Sequence, residues 1–184
     1  MSGAAVLREL HRVGPLRTAL TAALVAGYAI LLTRDAAVRH AEACASAALV
    51  RATGTAATCA GDSTLYRVEG LLVGHTTTIG CSALVLLLPF VAVTALLLPV
   101  RRVPLVVPVG ALATAAVVVV AVNQLRLLTI ASGVRAWGLE RGYGATHVLA
   151  GTVVSTVGIV AGGLVFLVLI VRGSRLLARA EVAP

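Results

Sequence analysis

The run GCSALVLLLPFVAVTALLLPVRR, residues 80–102, decides the fold. Between Ser82 and Val100 it carries no charge, and Arg101, Arg102 and Pro104 then close it. About 20 apolar residues in a helix cross the roughly 30 Å hydrocarbon layer of a bilayer, so 82–100 reads as a membrane span. Pro89 lies inside it. A proline there frees one carbonyl, which membrane bundles tolerate when neighbours satisfy the backbone.

Three further runs have the same character, at 16–33, 105–126 and 146–171. Hydrophobic residues make up 59% of the chain and charged residues 12%, with mean hydropathy +1.02, so a normal polar shell cannot form. The expectation is one polytopic, all-α membrane domain over 1–184 with about four transmembrane helices. A net charge of +8 could suggest nucleic acid, yet aromatics are only 3% and the arginines flank the apolar runs. The charge therefore reads as topology, and no nucleic-acid partner is expected. Every basic residue apart from histidine is Arg, beside abundant Ala, Val and Gly, a composition that fits a high-GC bacterial genome.

Arg8, Arg12, Arg17, Arg101, Arg102, Arg172, Arg175 and Arg179 fall in short segments, which places both termini on the cytoplasmic side of a plasma membrane. The lead-in from Met1 to Arg17 alternates Arg with Leu and Val, and is expected to lie at the interface. Its basic prelude resembles a signal peptide. Thr33-Arg34-Asp35 follows instead of a small-residue cleavage site, so the first run is expected to stay as an anchor.

The longer segments, 34–80 and 127–145, then lie outside. Asp35 to Thr53 has helical spacing, with Asp35, Arg39, Glu42 and Ser46 on one side and Val38, Ala41, Ala45, Ala48 and Leu49 on the other. This predicts an extracytoplasmic amphipathic helix, on the outer surface or against the bundle, ended by Gly54. Ala60-Gly61-Asp62-Ser63 is a turn signal followed by an alternating stretch to Glu69, which predicts a small β-hairpin cap. Residues 127–145 read as an outer loop, with Trp137 and Tyr143 suited to the headgroup region and Gly142 and Gly144 to a turn.

Alternating spans bring Cys81, Arg126 and His147 to one face of the membrane. Cys81 is expected to open a helix, where unsatisfied amides and a partial positive charge favour a thiolate. Asn123 lies one turn before Arg126 on the same face, and Ser82 follows the cysteine. His147 heads a stripe of Gly151, Ser155, Gly158 and Gly162, the small-residue pattern by which membrane helices touch, so this face is expected to look inward. Thiol, imidazole and guanidinium are the parts of a nucleophile, a base and a charge stabiliser. No carboxylate matches an orienting position, so His147 is expected to be oriented by Arg126, Asn123 or backbone. His75 is a further candidate base, while His11 and His40 read as interface residues. Cys44 and Cys59 can pair in an oxidising compartment, closing a loop worth about 3 kcal/mol and leaving Cys81 as the odd thiol. Cys and His are too dispersed for a zinc or haem motif, and no cofactor is expected.

Gly80-Cys81-Ser82, Pro89, the Arg101-Arg102 turn, Asn123-Gln124-Leu125-Arg126 and His147 with Gly151 together resemble the exosortase/archaeosortase family, from roughly Arg34 to Leu177. Ala83 stands where that family usually has Gly, and the additional N-terminal spans of many members are missing. The resemblance implies a membrane cysteine protease/transpeptidase with Cys81 as nucleophile and Arg126 and His147 completing the site. Its partners would be exported proteins ending in a short motif, a transmembrane helix and a basic cluster, cut outside the membrane and passed to a surface acceptor. The alternative is a non-catalytic membrane scaffold or assembly factor on the same fold. A transporter fits less well, since the spans lack intramembrane carboxylates and a doubled architecture.

Overall fold

The computed structural model describes residues 14–180, so the expected interfacial lead-in and His11 lie outside the described residues. Helix α1 (Pro15–Thr33) is followed after one residue by α2 (Asp35–Ala52). Three short strands come next, β1 (Ala57–Ala60), β2 (Ser63–Val68) and β3 (Leu71–Thr76), in an antiparallel sheet of that order. A 3₁₀ turn (Ile79–Cys81) leads into α3 (Ala83–Leu97). Then α4 (Val106–Trp137), a short α5 (Leu139–Tyr143), a π-helical turn (Gly144–Ala150) and α6 (Gly151–Ala180) complete the chain.

Mostly helical, the protein has three helical stretches long and apolar enough to cross a membrane, namely α1, α4 and the α5-to-α6 stretch. Their apolar residues face outward to a large extent, as Val117, Leu164 and Leu167 do. Helix α3 is apolar but shorter, at 15 residues, so the span expected at 82–100 is only partly helical. Its last turn is closed by a side chain from elsewhere. Arg17 donates to the carbonyls of Leu98 at 2.9 Å, Val100 at 2.9 Å and Val103 at 3.0 Å, where the ending helix leaves acceptors without partners. On α1, the buried Tyr28 hydroxyl donates to the Leu84 carbonyl, fastening α1 to the first turn of α3.

Two expectations are corrected. The outer loop at 127–145 is helix up to Trp137, because Leu127, Ile130, Ala131 and Val134 continue a buried stripe on α4. At 1.5 Å per residue its 32 residues run for about 48 Å, well beyond a hydrocarbon layer of about 30 Å. The extra turns carry the cap: Ala131 and Val134 pack against Val50 of α2 and Tyr66 of β2. The single hairpin is a three-stranded meander, because Glu69 and Gly70, with φ of 51° and 85°, form a second tight turn pairing Val68 with Leu71. The result is a mostly helical protein with a small β cap, the cap having one strand more than the expected hairpin.

Helix α2 is found where expected, and it packs with its polar stripe inward. Glu42, Ala43, Ser46, Ala47 and Val50 are buried, while Ala41, Ala45, Ala48 and Leu49 are exposed. Its polar stripe looks inward because polar partners wait there. At the outer edge of the same stripe, Arg39 pairs with Asp35 at 3.1 Å and with Asp62 in the β1–β2 turn, binding helix to sheet. A Cys44–Cys59 disulfide joins α2 to β1.

A second core lies among α3, α4 and α6, from Ala83, Phe90, Ala111, Ala115, Val119 and Phe166. Helix α6 reaches it with the stripe of Gly151, Gly158 and Gly162, all buried, as expected. At Gly158 a Cβ would overlap Val122, so the two helix backbones approach only because glycine is there.

Candidate active site

Between the outer core and the inner one, on α4, sit Asn123 and Arg126, both buried. Counting 1.5 Å per residue from Val106, Arg126 lies about 30 Å along the helix, at the depth where a hydrocarbon layer would end. The 3₁₀ turn before α3 delivers Cys81 to the same level, and the π-helical turn before α6 delivers His147. Arg126 Nη2 donates to Cys81 Sγ at 3.4 Å. His147 Nε2 lies 3.9 Å from the same sulfur. The three side chains that alternating spans were expected to gather therefore meet at one atom. Cys81 is also the free cysteine of the protein, since Cys44 and Cys59 are paired.

Local structure explains each position. Trp137 ends α4 about 16 Å past Arg126, and the chain then doubles back through α5. Gly142 and Gly133 allow this return, since a Cβ on either would overlap the opposing chain at Gly133 or Thr146. Tyr143 comes back with it and stacks on the His147 ring, centroids 4.8 Å apart. Gly151 lies beneath the guanidinium, where a Cβ would sit 3.1 Å from Arg126 Nε.

Cys81 is not the first helical residue, as had been expected, but the residue before the N-cap. Ser82 is the cap, its Oγ accepting from Leu84 N at 3.2 Å. The next orphan amide, Ala83 N, donates to Glu42 Oε1 at 2.7 Å. The amides at the start of α3 are thus answered by Ser82 and Glu42, which hold the turn that presents the sulfur.

Glu42 is the site residue that the sequence reading missed. It is 8% exposed, accepts from Asn123 Nδ2 at 3.5 Å and also bonds the Ser82 side chain. Burial raises its pKa, against the lowering effect of the Ala83 amide, Ser82, Asn123 and Arg39. Asn123, one of the three groups that could have oriented His147, is turned to Glu42. Only the polar stripe of α2 could have given the signal, and the sequence assigned that stripe no partner. No carboxylate bonds His147 among the described residues; the aromatic stack of Tyr143 holds the ring.

The remaining candidates separate. His40 is exposed on α2, with Nδ1 bonded to the Gly61 carbonyl. His75 on β3 is buried, and desolvation lowers its pKa to about 4. His40, Cys44 and Cys59 lie close together, but both sulfurs are committed to the disulfide. Comparison with known proteins finds no matching family model, no matching curated protein and no matching solved structure.

Proposed function

We propose that this chain is an exosortase-like membrane cysteine protease/transpeptidase, with Cys81, His147 and Arg126 as its reacting constellation. The observation that carries the reading is the sulfur with a guanidinium nitrogen 3.4 Å away and an imidazole nitrogen 3.9 Å away. His147 Nε2 takes the thiol proton and the thiolate attacks a peptide carbonyl. Arg126 holds the negative charge on sulfur and then on the developing oxyanion, without itself giving up a proton. His147 returns the proton to the leaving amine, and a thioester on Cys81 remains. Water or the amine of a surface acceptor attacks that thioester, which frees the thiol.

In this reading four helices cross a bacterial plasma membrane, α3 completing its crossing with the residues that flank it. Both termini are cytoplasmic, and the site lies outside beneath the cap. The substrates are exported proteins with a C-terminal motif, a transmembrane helix and a basic cluster. The disulfide between Cys44 and Cys59 supports an oxidising compartment for the cap.

The test is co-expression with tailed candidate substrates, reading the mass of the mature C-terminus. Wild type should release a shortened product and Cys81→Ala none. Arg126→Lys should cut turnover by about 10-fold or more, because an ammonium lacks the planar fork of the guanidinium. Unchanged processing by Cys81→Ala would instead favour the scaffold.

A further inference from the structure

Strand β3 is an edge of the sheet, with β2 on one side and no strand on the other among the described residues. The two-residue turn at Glu69-Gly70 makes Val68 and Leu71 a pair that exchanges both backbone bonds. By alternation Tyr66 with Val73 and Thr64 with His75 do the same. The N–H and C=O groups of Leu72, Gly74 and Thr76 therefore point away from β2, towards the free edge. Natural edges are usually blunted by charge, proline or a bulge. This one reads Leu-Leu-Val-Gly-His-Thr and carries neither charge nor proline.

A cleft of about 470 Å³ runs along it, with Gly74, His75 and Thr76 on one wall and Leu139, Glu140 and Tyr143 on the other. His75 is 5% exposed, and neither ring nitrogen has a hydrogen-bond partner. Burial keeps this imidazole neutral, so it offers one donor and one acceptor. The two unmet polar atoms lie just behind the cleft wall, next to the surface a bound peptide would cover. The cleft is also continuous with the reacting constellation. Tyr143 in one wall stacks on His147, and the strand forming the other leads through Thr77–Gly80 into Cys81.

We propose that the cleft receives the extended segment preceding the substrate's apolar helix, as a fourth strand on β3, with a hydroxyl or amide side chain against His75. Main-chain bonds to an open edge bind a peptide in extended form, and side chains facing the pockets supply selectivity. A peptide lying along β3 is carried towards the sulfur in the conformation a nucleophile can attack. This inference rests on the peptidase reading given above, since it names how that substrate is held.

The test uses the full chain in membranes, with p-benzoylphenylalanine introduced at Thr76 or, as control, at Thr58 on the opposite edge strand. The probe is the tailed protein found to be processed. If none is processed, the probe is an exported reporter ending in a Ser/Thr/Asn-rich segment, a Leu-rich helix and an Arg cluster. Crosslinks should join position 76, not 58, to the segment before the probe's helix. Thr76→Pro, which removes the outward N–H at a place where edge strands accept proline, should lower processing about 10-fold, while Ala57→Pro, which removes an outward N–H of the opposite edge strand, stays within about 2-fold. Equal crosslinking at both edges, no crosslink at 76, or equal processing by the two proline variants would overturn strand addition. Crosslinking at 76 without processing by wild type would keep the docking site and remove the peptidase reading.

Discussion

Helices α2 and α6 both bury their less greasy side, yet for opposite reasons. On α2 the inward stripe is polar, Glu42 and Ser46 beside alanines, and Glu42 supplies bonds that the start of α3 and Asn123 need. On α6 the inward stripe is glycine, which supplies no bond and only lets the α4 backbone come near. Outward, α6 shows Val153, Val157, Val160 and Leu164, as a lipid-facing helix would. One region is held by specific partners and the other by fit, so the two should fail differently.

The fit is the more brittle. Gly158→Val would drive a branched side chain into Val122 and should cost about 3 kcal/mol at any pH, since no proton is involved. Thermal unfolding in detergent would measure it, and a loss under about 1 kcal/mol would mean that α4 and α6 can part without harm. Acid should instead strike the cap. His75 has its pKa lowered to about 4, so between about pH 6.5 and pH 4 the unfolded chain binds a proton that the fold refuses. Stability is full above that window and falls as pH drops through it, by on the order of 3 kcal/mol at the bottom. Hydrogen-exchange protection factors over residues 57–76 should fall at pH 5 while those of α4 and α6 hold, and His75→Gln should remove that dependence.

Glu42 titrates with the other sign. Its raised pKa makes its contribution greatest at low pH, to be lost as pH rises through the raised value. Glu42→Ala, which strands the Ala83 amide and Asn123, should cost about 2 kcal/mol. Glu42→Gln keeps an acceptor and should cost under about 1 kcal/mol while flattening that loss with rising pH. Chemical denaturation at two pH values separates the two variants, and equal losses would show that Glu42 merely fills space. The smallest effect belongs to the outer face of α6, where Val160→Leu should change stability by less than about 0.5 kcal/mol.

Much of the architecture was legible because long apolar helices advertise themselves. The apolar runs gave three of the long helices, and the spacing of small residues gave the inner face of α6. The meeting of Cys81, Arg126 and His147 was legible too, as a matter of level: apolar runs that alternate in direction bring those three ends to one side. Depth is a one-dimensional property, and hydropathy reports it well.

What the amino acids alone could not decide was which way α2 faces, how far α4 continues, and that Glu42 answers Ala83. In water a polar stripe turns outward, but a stripe beside helix ends with unpaired amides finds better partners inside. The sequence determined the helices and the level at which the reactive groups lie, since those follow from apolar length. Only the tertiary structure decided the rotation of each helix about its axis, because that depends on partners contributed by distant segments.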